Sequence, residues 1–251
     1  MMKVSVIYPH VLRLSDPNSR VRLEHFHESA RRFASTIKSF PGGAECDVIV
    51  VCINGLPSEF IKTIYYKVFV TYDSYFGTGM DIGSMQSCSQ KLDSDFIVCL
   101  SSETVFFRDG WLKRLIDCRS EFGEGIYGAS ASYQACPYTT KIPNPHIRTS
   151  CFGMDAYLWR EYPYQVESKE DGFKFESGEW NVSSWCEQHG LNAKLVTWDG
   201  CWNRNDWRTP PNIFRRGDQS NCLVWDRHHI IYQNASDKEK LETGMMADGK
   251  V

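Results

Sequence analysis

Two groups of residues in this chain have the types and spacing to do chemistry. In the first, Gly77, Gly79 and Gly83 bracket a single carboxylate, Asp81. Shortly after, the uninterrupted apolar run Phe96 to Leu100 empties into Ser101, Ser102 and Glu103. Such a run reads as a strand buried on both faces of a parallel sheet, and open α/β sheets bind ligands at the C-terminal ends of their strands. A polar triplet ending in a carboxylate, at that place, suits a divalent cation and the diphosphate it neutralises. The bland alternatives are that Asp81 caps a helix starting at Ile82 and that Ser102 and Glu103 cap the turn after the strand.

The second group is denser. Pro145-His146-Ile147-Arg148-Thr149 is followed by Lys169-Glu170-Asp171-Gly172-Phe173-Lys174-Phe175-Glu176-Ser177-Gly178, then by Asp218-Gln219-Ser220-Asn221 and Asp226. Arg148 can clamp phosphate or sugar hydroxyls, or simply make a surface ion pair. Glu176 can serve as a general base, or as a helix-terminal acid placed for the macrodipole. Glu170, Asp171 and Glu179 are rivals to it. Arg204, Arg208, Arg215 and Arg216 flank Trp202 and Trp207 and could fold over a bound diphosphate. His228 and His229 read as neighbours in a strand, pointing to opposite faces, so at most one lines any site.

Alternating elements must position these groups. Val4 to Tyr8 is expected to be a strand, with Pro9 and His10 at its exit. Asp16 and Pro17 open a helix continued by Phe26, Ala30, Phe33 and Ile37, which Pro41-Gly42-Gly43 stops. Further strands are expected over Asp47 to Ile53, Lys67 to Thr71 and Asp95 to Leu100, with a helix from Trp111 to Cys118. Past Gly128, prolines 137, 143 and 145 predict an irregular loop. A helix is expected from Glu176 or Gly178 to His189, then a strand over Ala193 to Trp198. Leu223 to Trp225 and Ile230 to Gln233 read as strands, and Ser236 opens a terminal helix. The expected fold class is α/β, a mostly parallel sheet flanked by helices, in a single domain of 251 residues. Residues 1–130 would form one half and residues 131–251 the other.

Composition narrows the field. A net charge of −3 gives no basic field for nucleic acid or an anionic membrane. No stretch reaches the ~20 apolar residues of a membrane span, and the start of the chain does not read as a signal peptide. The 10 cysteines include no Cys-x-x-Cys pair, and Cys52 and Cys99 fall inside apolar strands, so the expectation is free thiols in a reducing cytoplasm. Asn181 and Asn234 then match the glycosylation pattern by chance. Aromatic content of 14% suits stacking on sugars, or merely a well-filled core.

Taken together, these segments resemble the GT-A-fold glycosyltransferases, in particular those that build bacterial-type polysaccharides and lipopolysaccharides. Carried by Pro-His-Ile-Arg-Thr, Phe-Glu-Ser-Gly and the closing Gln-x-Asn with Asp226, the resemblance spans nearly the whole chain. It implies a GT-A-like, Rossmann-like sheet, with a nucleotide-binding first half and an acceptor-binding second half. Asp81 and Gly79 would lie beneath the nucleotide, with Tyr8, Pro9, Ser101, Ser102, Glu103 and Arg148 also on the donor. The Asp-x-Asp position of that family is Ser101-Ser102-Glu103 here, so Glu103 is left as the sole metal carboxylate for Mn2+ or Mg2+. Inverting members keep a carboxylate base just before a helix, which points to Glu176, with Asp171 as second choice. The expected reaction moves a sugar from a nucleotide-diphosphate sugar to a glycan hydroxyl. The alternatives are a catalytically silent carbohydrate-binding module and a sugar-phosphate nucleotidyltransferase. The latter lacks support, because no glycine-rich loop follows the first strand.

Overall fold

The computed structural model describes residues 2–14, 22–136 and 142–250; the expected helix start at Asp16 and Pro17, and Pro137, lie outside them. The first half alternates β1 (Val4–Val11), α1 (Leu23–Ser39), β2 (Asp47–Ile53), α2 (Glu59–Tyr65), β3 (Thr71–Tyr75), α3 (Met80–Ser89), β4 (Phe96–Leu100) and α4 (Trp111–Phe122). There follow β5 (Gly125–Gly128), β6 (Ala131–Ser132), β7 (His146–Ile147), β8 (Cys151–Asp155), α5 (Leu158–Glu161), α6 (Lys169–Ser177) and α7 (Val182–Gln188). The chain closes with β9 (Asn192–Val196), β10 (Cys201–Trp202), α8 (Arg227–Asn234) and α9 (Asp237–Ala247).

One eight-stranded sheet runs through both halves in the order β10-β9-β5-β8-β4-β1-β2-β3. Strands β3, β2, β1 and β4 are mutually parallel. β8 enters antiparallel between β4 and β5, and β9 runs parallel to β5. The fold is therefore α/β, the mostly parallel sheet flanked by helices that the sequence pattern predicts. Side-chain alternation shows why the strands carry no polar face. Ile7, Val51, Ile97 and Cys99 enter the core on one side of the sheet. Val6, Tyr8, Val50, Cys52, Val98 and Leu100 enter the core on the other. All ten cysteines are free, and among the described residues no helix is long and apolar enough to cross a membrane.

Five expectations need correction. The third strand is Thr71–Tyr75 rather than Lys67 to Thr71; Val68 bonds back to Tyr65 as the tail of α2. The helix expected from Glu176 to His189 is two helices. Gly178 adopts an extended conformation, and the buried Asn181 side chain caps α7 through the Ser184 amide. Ile230 to Gln233 is helical, because Asp226 and His229 form a reciprocal capping box that starts α8. The strand expected at Leu223 to Trp225 shrinks to a single bridge, Trp225 to Val105. Finally, β1 continues to Val11, so Pro9 and His10 lie within it rather than at its exit, while Tyr8 is in the strand as expected. Pro9 is tolerated there because β1 pairs with β4 only as far as Ile7, and beyond that only with β2.

Candidate active site

The turn after β4 is held from several directions. The Ser101 amide donates to the Ser150 carbonyl at 2.8 Å. The Ser102 amide donates to Asp81 Oδ2 at 3.1 Å, and the Tyr8 hydroxyl donates to the Ser102 carbonyl at 2.7 Å. Four of the residues expected at the donor thus meet: Tyr8, Asp81, Ser101 and Ser102. Asp81 sits in the first turn of α3 rather than capping it; the cap position is Gly79. Burial pushes the Asp81 carboxyl up to about 6, against the lowering effect of the Ser102 amide and hydroxyl. The glycines nearby answer to packing. A Cβ on Gly79 would meet the Val166 carbonyl at 2.4 Å, and one on Gly83 would meet the Tyr75 hydroxyl at 2.7 Å.

Glu103 pairs with His25 Nε2 in the first turn of α1. The pair lines an open cavity of about 560 Å³, together with Arg22, Arg32 and Arg227. Among the described residues, no three His, Cys, Asp or Glu side chains gather closely enough to hold a metal ion. Glu24 and Glu28 also line this cavity, but they do not cluster with Glu103 into a three-donor set, so the protein donors alone do not fit a divalent cation.

The second cavity, about 280 Å³, is where the later segments meet. It is lined by His146, Arg148, Glu176, Arg215 and His228, with Phe173 and Phe214. Glu176 Oε2 accepts from the Thr149 hydroxyl at 2.8 Å, joining the Phe-Glu-Ser-Gly element to Pro-His-Ile-Arg-Thr. Arg148 pairs with Asp226 at 3.0 Å, both largely buried, and its guanidinium lies 3.9 Å over the Phe214 ring. Its ion pair is thus interior rather than on the surface. Burial alone would raise the Asp226 carboxyl, but Arg148 and His229 outweigh it and hold the group well below the ordinary range. Arg215 also lies over Phe214, at 5.0 Å, and reaches Gln134; burial lowers its pKa.

His146 is in a defined protonation state. Its Nδ1 lies 2.8 Å from the Asn144 carbonyl oxygen, which only accepts, so Nδ1 carries the proton and Nε2 keeps its lone pair. Burial lowers its pKa, opposed by the nearby Glu176. Glu176 itself lies near the C-terminal end of α6, not ahead of a helix. There the macrodipole disfavours a negative charge, so helix stabilisation does not explain it.

The other expected residues lie elsewhere. Asp171 is at the opposite end of α6, where it forms a capping box with Ser168; the Ser168 hydroxyl lowers its carboxyl pKa. Arg204 pairs with Glu187, while Arg208 and Arg216 bond to Asp248; of the four arginines only Arg215 lines the cavity. The first turn of α8 separates the two cavities: Arg227 lines the first and His228 the second. Mutual backbone bonds between Val105 and Trp225 tie that turn to the loop after β4. Sequence reasoning missed His25, Arg32 and Arg227. His25 and Arg227 lie in the first turns of α1 and α8, and Arg32 lies in the middle of α1, so no local pattern marks them together.

No protein-family profile matches this chain, and neither does any curated protein. Among solved structures it is similar to 4-diphosphocytidyl-2C-methyl-D-erythritol synthase from Anaerococcus prevotii. That match has 15% identity and a TM-score of 0.44, over 69% of this chain and 82% of that one. It is also similar to S. aureus TarS, with 12% identity and a TM-score of 0.43, over 68% of this chain and 32% of that one. A 1–349 fragment of TarS in complex with UDP matches over 53% of its length. At these scores nothing about this chain's activity follows from them.

Proposed function

We propose that this chain is a glycosyltransferase that moves a sugar from a nucleotide-diphosphate sugar to a hydroxyl of a glycan acceptor, with inversion. The observation that carries this reading is the convergence of three separate segments on one small cavity. Thr149 meets Glu176, and Arg148 meets Asp226. Glu176 and Arg148 line that cavity, and the first turn of α8 stands between it and the cavity beside Glu103.

On this reading the donor nucleotide lies along the strand-end ledge of Asp81, Ser102 and Glu103, with Gly79 beneath it. Glu176 takes the proton from the acceptor hydroxyl as its oxygen bonds to the anomeric carbon. The bond from that carbon to the diphosphate oxygen breaks, and the nucleoside diphosphate leaves with the electron pair. Arg148 and Arg215 stabilise the charge it carries. Mn2+ or Mg2+ would join only through the diphosphate and Glu103, and no step depends on it. Asp171, its carboxylate taken up by the cap of α6, is not placed to act as the base. A rival base is His146, whose Nε2 keeps its lone pair in the same cavity.

The test is a panel of UDP, GDP and dTDP sugars incubated with the protein, read as release of nucleoside diphosphate and as a change in Tm. At a hundredfold excess over Kd, linkage contributes ~2.7 kcal/mol of stability, which a melting curve resolves. Release from one donor class is expected. No shift and no release with any donor would overturn the reading.

A further inference from the structure

The face of α6 opposite Glu176 borders a separate groove of about 480 Å³. Tyr162, Val166 and Phe175 form its floor, all buried. One wall is Pro163-Tyr164-Gln165 and the other Glu179-Trp180, with Asp171 and Lys174 reaching in from α6. Of the eight tryptophans in the chain, Trp180 is the exposed one, at 52%, and Tyr164 across from it is 51% exposed.

Neither ring is exposed through looseness of its backbone. The Trp180 carbonyl accepts from the Tyr162 hydroxyl at 3.3 Å, and the next residue, Asn181, caps α7. The wall opposite is fastened by the buried Gln86. Its amide donates to the Tyr164 carbonyl at 2.9 Å, and its oxygen accepts from the Val166 amide at 2.9 Å. Both rings are therefore held out over an ordered floor, at the cost of leaving two large apolar surfaces in water. Around them stand carboxylates, an ammonium and an amide of mixed charge. That set matches a neutral, hydroxyl-rich ligand better than a polyanion or a charged membrane surface. The C–H face of a pyranose packs against the negative face of an aromatic ring, while its equatorial hydroxyls reach polar groups at the rim. The volume lies in the ~300–1,000 Å³ range of small-ligand sites.

We propose that this groove is a second carbohydrate site, which holds a neutral oligosaccharide between Trp180 and Tyr164. Assigning that oligosaccharide as a remote stretch of the acceptor rests on the transferase reading; binding in the groove does not. Because α6 separates the groove from Glu176, only an acceptor long enough to pass around the turn at Gly178 can occupy both. The groove then lowers KM for long acceptors and leaves short ones alone.

The test applies the unmutated protein, Trp180→Ala, Tyr164→Ala and the control Phe69→Ser to a printed array of neutral and acidic oligosaccharides. The array runs from monosaccharides to long chains, and the best binders are then titrated calorimetrically. Melting curves verify that each variant is folded. The expected result is binding that strengthens with chain length and favours neutral glycans. Trp180→Ala or Tyr164→Ala should weaken it by ~tenfold or more, as for loss of an aromatic anchor, with Phe69→Ser unchanged. No binding by any oligosaccharide, or binding undiminished in both folded groove variants, overturns the proposal. If nucleotide sugars are turned over while the groove binds nothing, the groove fails and the transferase reading stands. Glycan binding without any donor turnover gives the reverse.

Discussion

At the ends of β1 and β4, the polar groups hold one another: Asp81 and Tyr8 grip the Ser102 peptide, and Glu103 grips His25. In the cavity beside α6, charged groups are instead gathered to face a common space. Arg148 and Arg215 share the ring of Phe214, and Glu176 accepts a hydrogen bond from the Thr149 hydroxyl. The first region is a braced ledge on which a ligand can rest. The second brings a carboxylate and two arginines, one of them paired with Asp226, to a space of about 280 Å³, the arrangement that the proposed charge-separating reaction would use. The difference teaches that a braced strand end and a gathering of charged side chains are distinct features, which the proposed function assigns to donor binding and to bond making.

The sharpest way to break this comparison is at Glu176. Glu176→Gln keeps shape and the Thr149 contact but cannot accept a proton, so turnover should fall ~10²–10⁴-fold. Asp171→Asn and Glu179→Gln should stay near normal, and His146→Asn separates the rival base. A collapse in Asp171→Asn with Glu176→Gln active would move the base to the other end of α6.

Next in size is Arg148. Arg148→Met leaves the buried Asp226 without its guanidinium, with only His229 and the α8 amides beside it; loss of a buried partner costs up to ~3–5 kcal/mol, and urea unfolding should show it. Pairing it with Asp226→Asn should recover part of that loss. Additive losses in the double variant would mean that the two residues do not depend on each other.

A smaller effect concerns metal. Mn2+ alone should give no measurable heat, because the protein supplies too few donors. Mn2+ with a nucleoside diphosphate should bind, and Glu103→Ala should weaken it. Tight Mn2+ binding without nucleotide would contradict the account of the ledge.

The smallest effect is on pH dependence. The Asp81 carboxyl is raised from 3.8 to about 6 on folding. Its contribution to stability is therefore full below the unfolded value and is lost as pH rises through about 6. Asp81→Asn should flatten the change of Tm over that window, by up to ~3 kcal/mol of stability. An unchanged profile would show that folding does not raise the Asp81 carboxyl.

The ledge's framework was legible in the sequence because strands buried on both faces write themselves as apolar runs: Asp47 to Ile53 and Phe96 to Leu100 are where periodicity puts them. The second half was harder because its elements are short and set by caps. Asn181 and Asp226 decide where α7 and α8 begin, and both overrode the local pattern around them. The motif residues survived those errors. A cluster of His, Arg, Thr and Glu is visible as composition whatever element carries it, whereas the pairing of Arg148 with Asp226 is a tertiary fact with no local signature.

The most direct measurement is a crossed one: donor Kd and the rate of nucleoside diphosphate release for the unmutated protein, Asp81→Ala and Glu176→Gln, with the same nucleotide sugar and acceptor. The account predicts that Asp81→Ala weakens donor binding, while Glu176→Gln lowers the rate ~10²-fold or more at unchanged Kd. Both variants changing only Kd, or neither changing the rate, would contradict the division of the cleft into ledge and reaction centre.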